Sequence, residues 1–513
     1  MSSDVSGPVV SNSAPTRAAS KSLVSRTRLG KLPRVKLTTW FLVIGGGLGL
    51  FLVFAVPPAQ GIDEPNHFSR VWTLTEGAVI APVRGPHKIV WIFPSAGVPP
   101  SQPVRKGVHR AGGVVPACVQ RYLATLYADG ASPGHFTLAE AWRTPANCAH
   151  QAPRFVAFEN TAVESPVAYA PEVVGVAVLR AVRAPLPVIF FGGRLAGLLG
   201  YLLLVWLALS VAPRGRAILF VVGAMPMALQ EAAAYSADGM TTGLALLAVA
   251  LALRCSLDPK TGRRWFGALA LVVVALALTK PSYVVLAPLV FLVPRDRIRL
   301  ESGRAFLVKS GVLLVALLAA GGWNLAVHDV SLAAYFPPHA IRPGTQLAYI
   351  GHHPLKYLGV ILRSVGRGFE PRGWLSGVVS SVGFYPIGPA PAAPVWVVIL
   401  AILLFLAAYG IECGPRLGRP NAHRLVAAGT PVVLFVVGVL AVLTTLWIEW
   451  TPVGSSVING LQGRYLLPLL AVPIVTVVLL TKRSRTTEAA WPIAVGMTVL
   501  AIAEVAIVLG TFY

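Results

Sequence analysis

Residues 38 to 56 read TTWFLVIGGGLGLFLVFAV, nineteen consecutive residues without a charge. A helix of roughly 20 apolar residues spans the hydrocarbon of a bilayer, so this stretch reads as a membrane helix. The pattern recurs along the chain. Apolar runs near 187–211, 217–234, 239–253, 265–279, 282–293, 306–323, 392–411, 426–447, 465–481 and 490–512 bring the expected number of spans to eleven. The fifth and sixth are short and split by Lys280-Pro281-Ser282, so two short spans and one broken element both stay open.

Composition agrees with that reading. Of 513 residues, 55% are hydrophobic and 12% charged, about half the charge of a soluble domain, and mean hydropathy is +0.69. A soluble enzyme, a disordered chain and a collagen are therefore excluded. Lys plus Arg outnumber Asp plus Glu by 43 to 20, a formal charge of +23. In so apolar a chain this excess marks orientation rather than nucleic-acid binding, because cytoplasmic loops collect Lys and Arg. With residues 1–37 as a disordered cytoplasmic tail, 24 of the 43 basic residues fall in that tail and in short inner loops. The fold class is thus an all-α polytopic membrane protein of about eleven helices, its membrane domain covering residues 38–513. Two long segments, 57–187 and 324–391, fall on the extracytoplasmic side, and connections of that length between helices usually carry function.

A retained anchor explains the N-terminus better than a signal peptide. The polar region before the first apolar run is 37 residues long, and Phe54-Ala55-Val56-Pro57-Pro58 offers no small-x-small cleavage site. Cys118 and Cys148 share the first outer segment, where an oxidising space would let them close a loop of roughly 30 residues, worth about 3 kcal/mol. Residues 165–182 are mildly apolar but carry Pro171, Glu172 and Arg180, so they read as a helix lying in the interface.

Pro57-Pro58-Ala59-Gln60-Gly61-Ile62-Asp63-Glu64-Pro65-Asn66-His67-Phe68-Ser69-Arg70 follows the first span. Pro65 suits the first turn of a helix, with Asp63 or Glu64 as its cap and His67 and Arg70 on the same face by three- and four-residue spacing. An N-cap with a helix ion pair is the plain structural reading. A carboxylate at headgroup level beside a large outer segment is also well placed to take a proton from a hydroxyl.

Four motifs in order carry a resemblance. Asp63-Glu64-Pro65-x-His67-Phe68-x-Arg70 is followed by Met225 to Met227 with Gln230 to Ala232 and Ser236-x-Asp238, then by Lys280-Pro281-x-Tyr283 and Gln462 to Pro468. Together, over about Thr38 to Leu480, they resemble the bacterial membrane-protein family known as domain of unknown function 2142. That family is in turn similar to the GT-C glycosyltransferases, polytopic enzymes that use polyprenyl-phosphate sugars and open their first outer loop, which carries membrane-surface helices, with an acidic motif. The resemblance implies Asp63 as catalytic base or metal-site carboxylate and Glu64 as its neighbour. His67, Arg70, Asp238, Lys280, Tyr283, Arg464 and Tyr465, which lie in these motifs, are the candidate substrate-binding residues. Ser376, after Trp374-Leu375, stands where the family pattern expects an aspartate.

On this reading the chain transfers a sugar, with inversion, from a polyprenyl-phosphate donor to a glycan or glycolipid of the cell envelope, outside the bacterial cytoplasmic membrane. Lys280 would meet the lipid phosphate as a point charge and Arg464 would clamp it bidentately, the plain alternative being snorkelling to headgroups. Asp238 reads as a cap and Glu504 as one half of a packing pair. A divalent metal (Mg, Mn or Ca) stays open, because one Asp-Glu pair supplies too few ligands. His339 and the pair His352-His353 read as solvated rather than metal-bound. No Walker loop or Gly-x-Gly-x-x-Gly is present, which argues against nucleotide binding. Two other classes stay open: a transporter or flippase of lipid-linked saccharides, which uses the same basic residues and needs no base, and a non-catalytic scaffold of an envelope-synthesis complex, which uses the 57–187 segment for partners. The Arg excess over Lys, 33 to 10, is the bias of a high-GC genome and points to an actinobacterial envelope polymer.

Overall fold

The computed structural model describes residues 35–84, 110–130, 136–143, 152–333, 341–370, 373–381, 393–413, 422–481 and 490–513. The basic tail before residue 35, His339 and Cys148 lie outside them. Cys118 is disulfide-bonded, and Cys255 and Cys413 carry free thiols.

α1 (Leu37–Ala55) ends where Pro57 and Pro58 remove two backbone donors in succession. α2 (Glu64–Leu74) follows and is buried along its whole length. Next comes an antiparallel sheet ordered β1 (Val83–Arg84), β2 (Arg110–Pro116), β3 (Pro153–Ala157), with α3 (Ala117–Gly130) between the last two strands. The chain is therefore mostly helical rather than all-α. The strands escape sequence reading because β2 opens Arg-Ala-Gly-Gly, a loop-like run. Gly112 is required there, since a Cβ would lie 2.0 Å from the Val156 carbonyl oxygen. α4 (Ala170–Ala181) is too short to span; its Val174 and Val178 are exposed four residues apart, while its other face packs on the next helix.

That helix is α5 (Leu186–Val211), followed by α6 (Arg216–Gly223) and α7 (Pro226–Ala233), which meet at a 56° bend. α8 (Ala237–Leu257) and α9 (Arg263–Thr279) come next, then a twelve-residue 3₁₀ helix, Pro281–Leu292. The remaining long helices are α10 (Ser302–Ala326), α11 (Val395–Glu412), α12 (Ala422–Trp450) and α13 (Ala490–Phe512), with Gly463–Leu480 as a segment of shorter turns. Among the described residues, eight segments are long and apolar enough to cross a membrane, or nine if the bent α6–α7 pair is one span. The expected eleven is thus corrected. The runs at 265–279 and 282–293 fall short: α9 has 17 residues and the 3₁₀ helix 12, interrupted by Pro288. These two pack on each other and on α8. Ser256, near the end of α8, donates to the Leu292 carbonyl at 3.2 Å, and Arg263 donates to the Ile298 carbonyl at 3.1 Å.

One ion pair ties the exit of α1 to the rest. Arg194 of α5 and Glu64 at the head of α2 are both fully buried and meet bidentately, with Nε–Oε1 and Nη2–Oε2 each at 2.6 Å. The remaining donors of Arg194 reach the carbonyls of Val53, Val56 and Pro57, and Glu64 also accepts the amides of Ala59, Gly61 and Tyr235. Every charged atom is matched, which is what lets the pair exist away from water. Glu64→Gln or Arg194→Met alone should cost about 3–5 kcal/mol of unfolding free energy by leaving a buried charge unpaired. The double variant should recover part of that loss in denaturant titrations, whereas additive losses would show that the two side chains do not act as a pair.

Candidate functional site

Pinning Glu64 inward decides where its neighbour goes. Asp63 is the N-cap of α2 in the left-handed region (φ 57°, ψ 13°), an unusual place for a residue with a side chain. Its carbonyl accepts the amides of Asn66 and His67, but its carboxylate does not cap the helix. The carboxylate turns instead toward Arg464, with Oδ2 at 3.6 Å from Nη2.

Arg464 is the centre of a buried network. Its Nη1 lies 2.9 Å from Glu231 Oε1 and its Nε 3.3 Å from Asp238 Oδ2. Asp238 also pairs with Lys280, and Ser236 donates to Glu231 while its oxygen accepts the Asp238 amide. The junction between α7 and α8 supplies these acids: Glu231 ends one helix, and Ser236 caps the next. The Tyr465 ring lies 5.1 Å from Lys280 Nζ and 5.2 Å from the Arg464 guanidinium carbon, and Tyr283 donates to the Tyr465 carbonyl at 2.7 Å. Gly463 lets a second segment close over the arginine, since a Cβ there would fall 2.3 Å from the Val378 nitrogen and 2.4 Å from the Trp374 oxygen. Ser376, where an aspartate was expected, sits in this segment and donates to the Gly373 carbonyl. Beside the network a small cleft of about 20 Å³, room for about one water molecule, is lined by Leu52, Val56, Ile62, Gln230, Glu231 and Ser381.

The acidic motif after α1, the α7–α8 acids, Lys280 and Arg464 thus meet at one end of the bundle, and the family profile that matches the chain covers residues 47–473. The chain belongs to the family described as Predicted membrane protein (DUF2142). No curated protein and no solved structure matches it significantly.

Exposure sorts the site of this DUF2142 protein. Arg464, Glu231 and Asp238 side chains are 3–6% exposed, whereas Asp63 is 26% and Lys280 19% exposed. An acid and a cation therefore form the rim, over a floor in which one guanidinium faces two carboxylates. Burial pushes the Asp63 carboxyl above its ordinary range despite Arg464, with Asp238 adding to the rise. His67, buried on α2, shares a 2.6 Å hydrogen bond with the Tyr169 hydroxyl. Burial, then the charges of Arg464 and Lys280, lower its pKa to about 3, so the ring is neutral at physiological pH.

Two motif residues lie elsewhere. Glu64 is sealed against Arg194, and Arg70 is fully buried, with its Nη1 and Nη2 donors on the carbonyls of Ala78, Val79 and Glu164. Neither reaches the Arg464 network, and the helix ion pair expected from their spacing does not form. The bidentate phosphate clamp expected of Arg464 also changes, because Glu231, Asp238 and Asp63 already occupy the guanidinium. Among the described residues no group of three His, Cys, Asp or Glu is placed to hold a metal ion. The network's carboxylates face cations instead, so Mg, Mn or Ca does not fit there. His352 and His353 are exposed.

The candidate site residues left out two acids, although one of them, Glu231, lies within the Gln230 to Ala232 motif. Glu231 was visible as a charge within an apolar run. Glu164 had no local signal: it lies in the field of Lys280 and Asp238, and burial raises its pKa to about 7.

The histidine yields a test. Unfolded His67 takes up a proton near pH 6.5 and the folded site only near pH 3, so the stability it contributes is intact above pH 6.5 and lost as pH falls through that window. The loss should approach about 1.4 kcal/mol per pH unit. His67→Gln should flatten this part of the pH dependence of unfolding, and a variant with the native slope would show that another group sets it.

Proposed function

We propose that this protein is a GT-C-type glycosyltransferase at the extracytoplasmic face of the cytoplasmic membrane. It moves a sugar from a polyprenyl-phosphate donor to a hydroxyl of an envelope glycan or glycolipid. The observation that carries the reading is Asp63: of the three carboxylates around Arg464 it is the one with substantial exposure, on strained backbone, beside the partly exposed Lys280.

In this mechanism the acceptor hydroxyl gives its proton to Asp63 as its oxygen bonds to the anomeric carbon. The bond from that carbon to the phosphate oxygen breaks, the electron pair leaves with polyprenyl phosphate, and Lys280 stabilises the charge that develops. One displacement inverts the anomeric centre. A phosphate arriving beside Asp63 raises its proton affinity further, which suits a base. Arg464 holds Asp63 and Asp238 in place and is a positioning residue.

The 56° bend between α6 and α7 favours a second reading, translocation of a lipid-linked saccharide, since broken helices flank the binding sites of many transporters. Purified protein, a polyprenyl-phosphate sugar and an acceptor extract separate the two. Release of polyprenyl phosphate is expected, with Asp63→Asn lowering it about 10²–10⁴-fold at an unchanged unfolding midpoint. Activity should fall as pH drops through the raised Asp63 pKa, because the base form is lost. Turnover indifferent to Asp63→Asn would remove the base, and donor crossing the bilayer without turnover would replace transfer by translocation.

A further inference from the structure

Glu504 is the one charged residue of α13 and lies roughly 12 Å in from the Phe512 end of that helix, well inside the apolar zone. It is 1% exposed. Its partner in the expected packing pair is a neutral amide: Gln230 Nε2 donates to Glu504 Oε1 and, at 3.2 Å, to the Ser380 hydroxyl, which also lies beside the carboxyl. Glu504 Oε2 is buried without a hydrogen-bond partner.

No cation among the described residues is free to compensate it. Of the elements packed on α13, α1 has no titratable side chain. On α6, Arg216 donates to the Ala212 carbonyl at 2.6 Å. Glu231 of α7 pairs with Arg464, while Tyr409 and Glu412 of α11 bond to the Leu470 carbonyl and the Ala217 amide. Residues 382–392, which follow Ser381, contain no Lys, Arg or His. A carboxylate held in this setting without a counter-charge is strongly unfavourable, and an exchangeable cation would supply it. Access exists as well. Gln230 and Ser381 line the cleft, so one face of the polar cluster opens onto it.

We infer that Glu504, with Gln230 and Ser380, forms a binding site for a single monovalent cation, a proton or Na⁺, loaded from the cleft at the α7 side of the bundle. The few oxygens around the carboxyl suit the proton better than a dehydrated metal ion. The site is separate from the Asp63–Lys280 rim and does not depend on the chain transferring a sugar.

The test uses the full-length protein in liposomes and dicyclohexylcarbodiimide, a lipid-soluble reagent that adds to protonated carboxyl groups, with the adduct mapped by mass spectrometry. Labelling at Glu504 that is absent in Glu504→Gln is the expected result. Labelling unchanged by NaCl identifies the proton, and at least about tenfold protection by NaCl but not choline chloride identifies Na⁺; either supports the site. The unfolding midpoint of Glu504→Gln supplies an independent arm. It should equal or exceed that of the native protein, because the amide removes the need for a counter-charge. An unlabelled Glu504 overturns the inference, and so does a Gln variant with a clearly lowered midpoint, which would reveal a protein cation paired with the carboxylate.

Discussion

A guanidinium taken out of water must find an acceptor for each of its donors, and Arg194 does so by gathering the loose end of α1 around itself. Three carbonyls and one carboxylate from residues 53–64 converge on it. The chain leaving the first span is thereby bent back and given a fixed direction before α2 begins. Since Glu64 is drawn inward, Asp63 has to point the other way, and its left-handed backbone is the local cost of that reversal. The site at the rim rests on this pair, although neither partner belongs to it.

Two of the buried arginines, Arg194 and Arg464, sit in ion clusters of different balance. Around Arg194 acceptors and donors balance and the side chains are closed to solvent. Around Arg464 the acids are in excess: Glu231, Asp238 and Asp63 face Arg464 and Lys280, leaving one negative charge over if all are ionised. Asp63 is the most exposed of the three acids and the one open to exchange with solvent.

The sequence spoke clearly about whatever depends on long apolar runs. Spans such as 38–56, 187–211 and 490–512 were legible to within a residue or two, because twenty predominantly apolar residues have few other uses in water. It spoke less clearly where tertiary contact overrides local pattern. The strand Arg110–Pro116 depends on a glycine opposite Val156, and nothing local announces that partner. Asp63 and Glu64 are adjacent and chemically alike, so no pattern could assign one to a sealed pair and the other to an open rim; that choice was made by Arg194, far along the chain. Lys280, Asp238, Arg464 and Tyr465 were found through motif order rather than spacing. Glu164 reaches the field of Lys280 only by folding, and Glu504 gave no hint that its partner would be an amide.

The hairpin of α9 and the 3₁₀ helix decides a question of bookkeeping. Lys280 at its turn meets Asp238 at one end of α8, and Leu292 meets Ser256 at the other, so the chain climbs and descends alongside that helix. A rise of about 2.0 Å per residue lets twelve 3₁₀ residues reach roughly 24 Å, close to the roughly 25 Å of seventeen α-helical ones. An excursion that returns to its starting side contributes an even number of crossings, whether two or none. The parity of everything after residue 293 is therefore indifferent to how the short pair is counted.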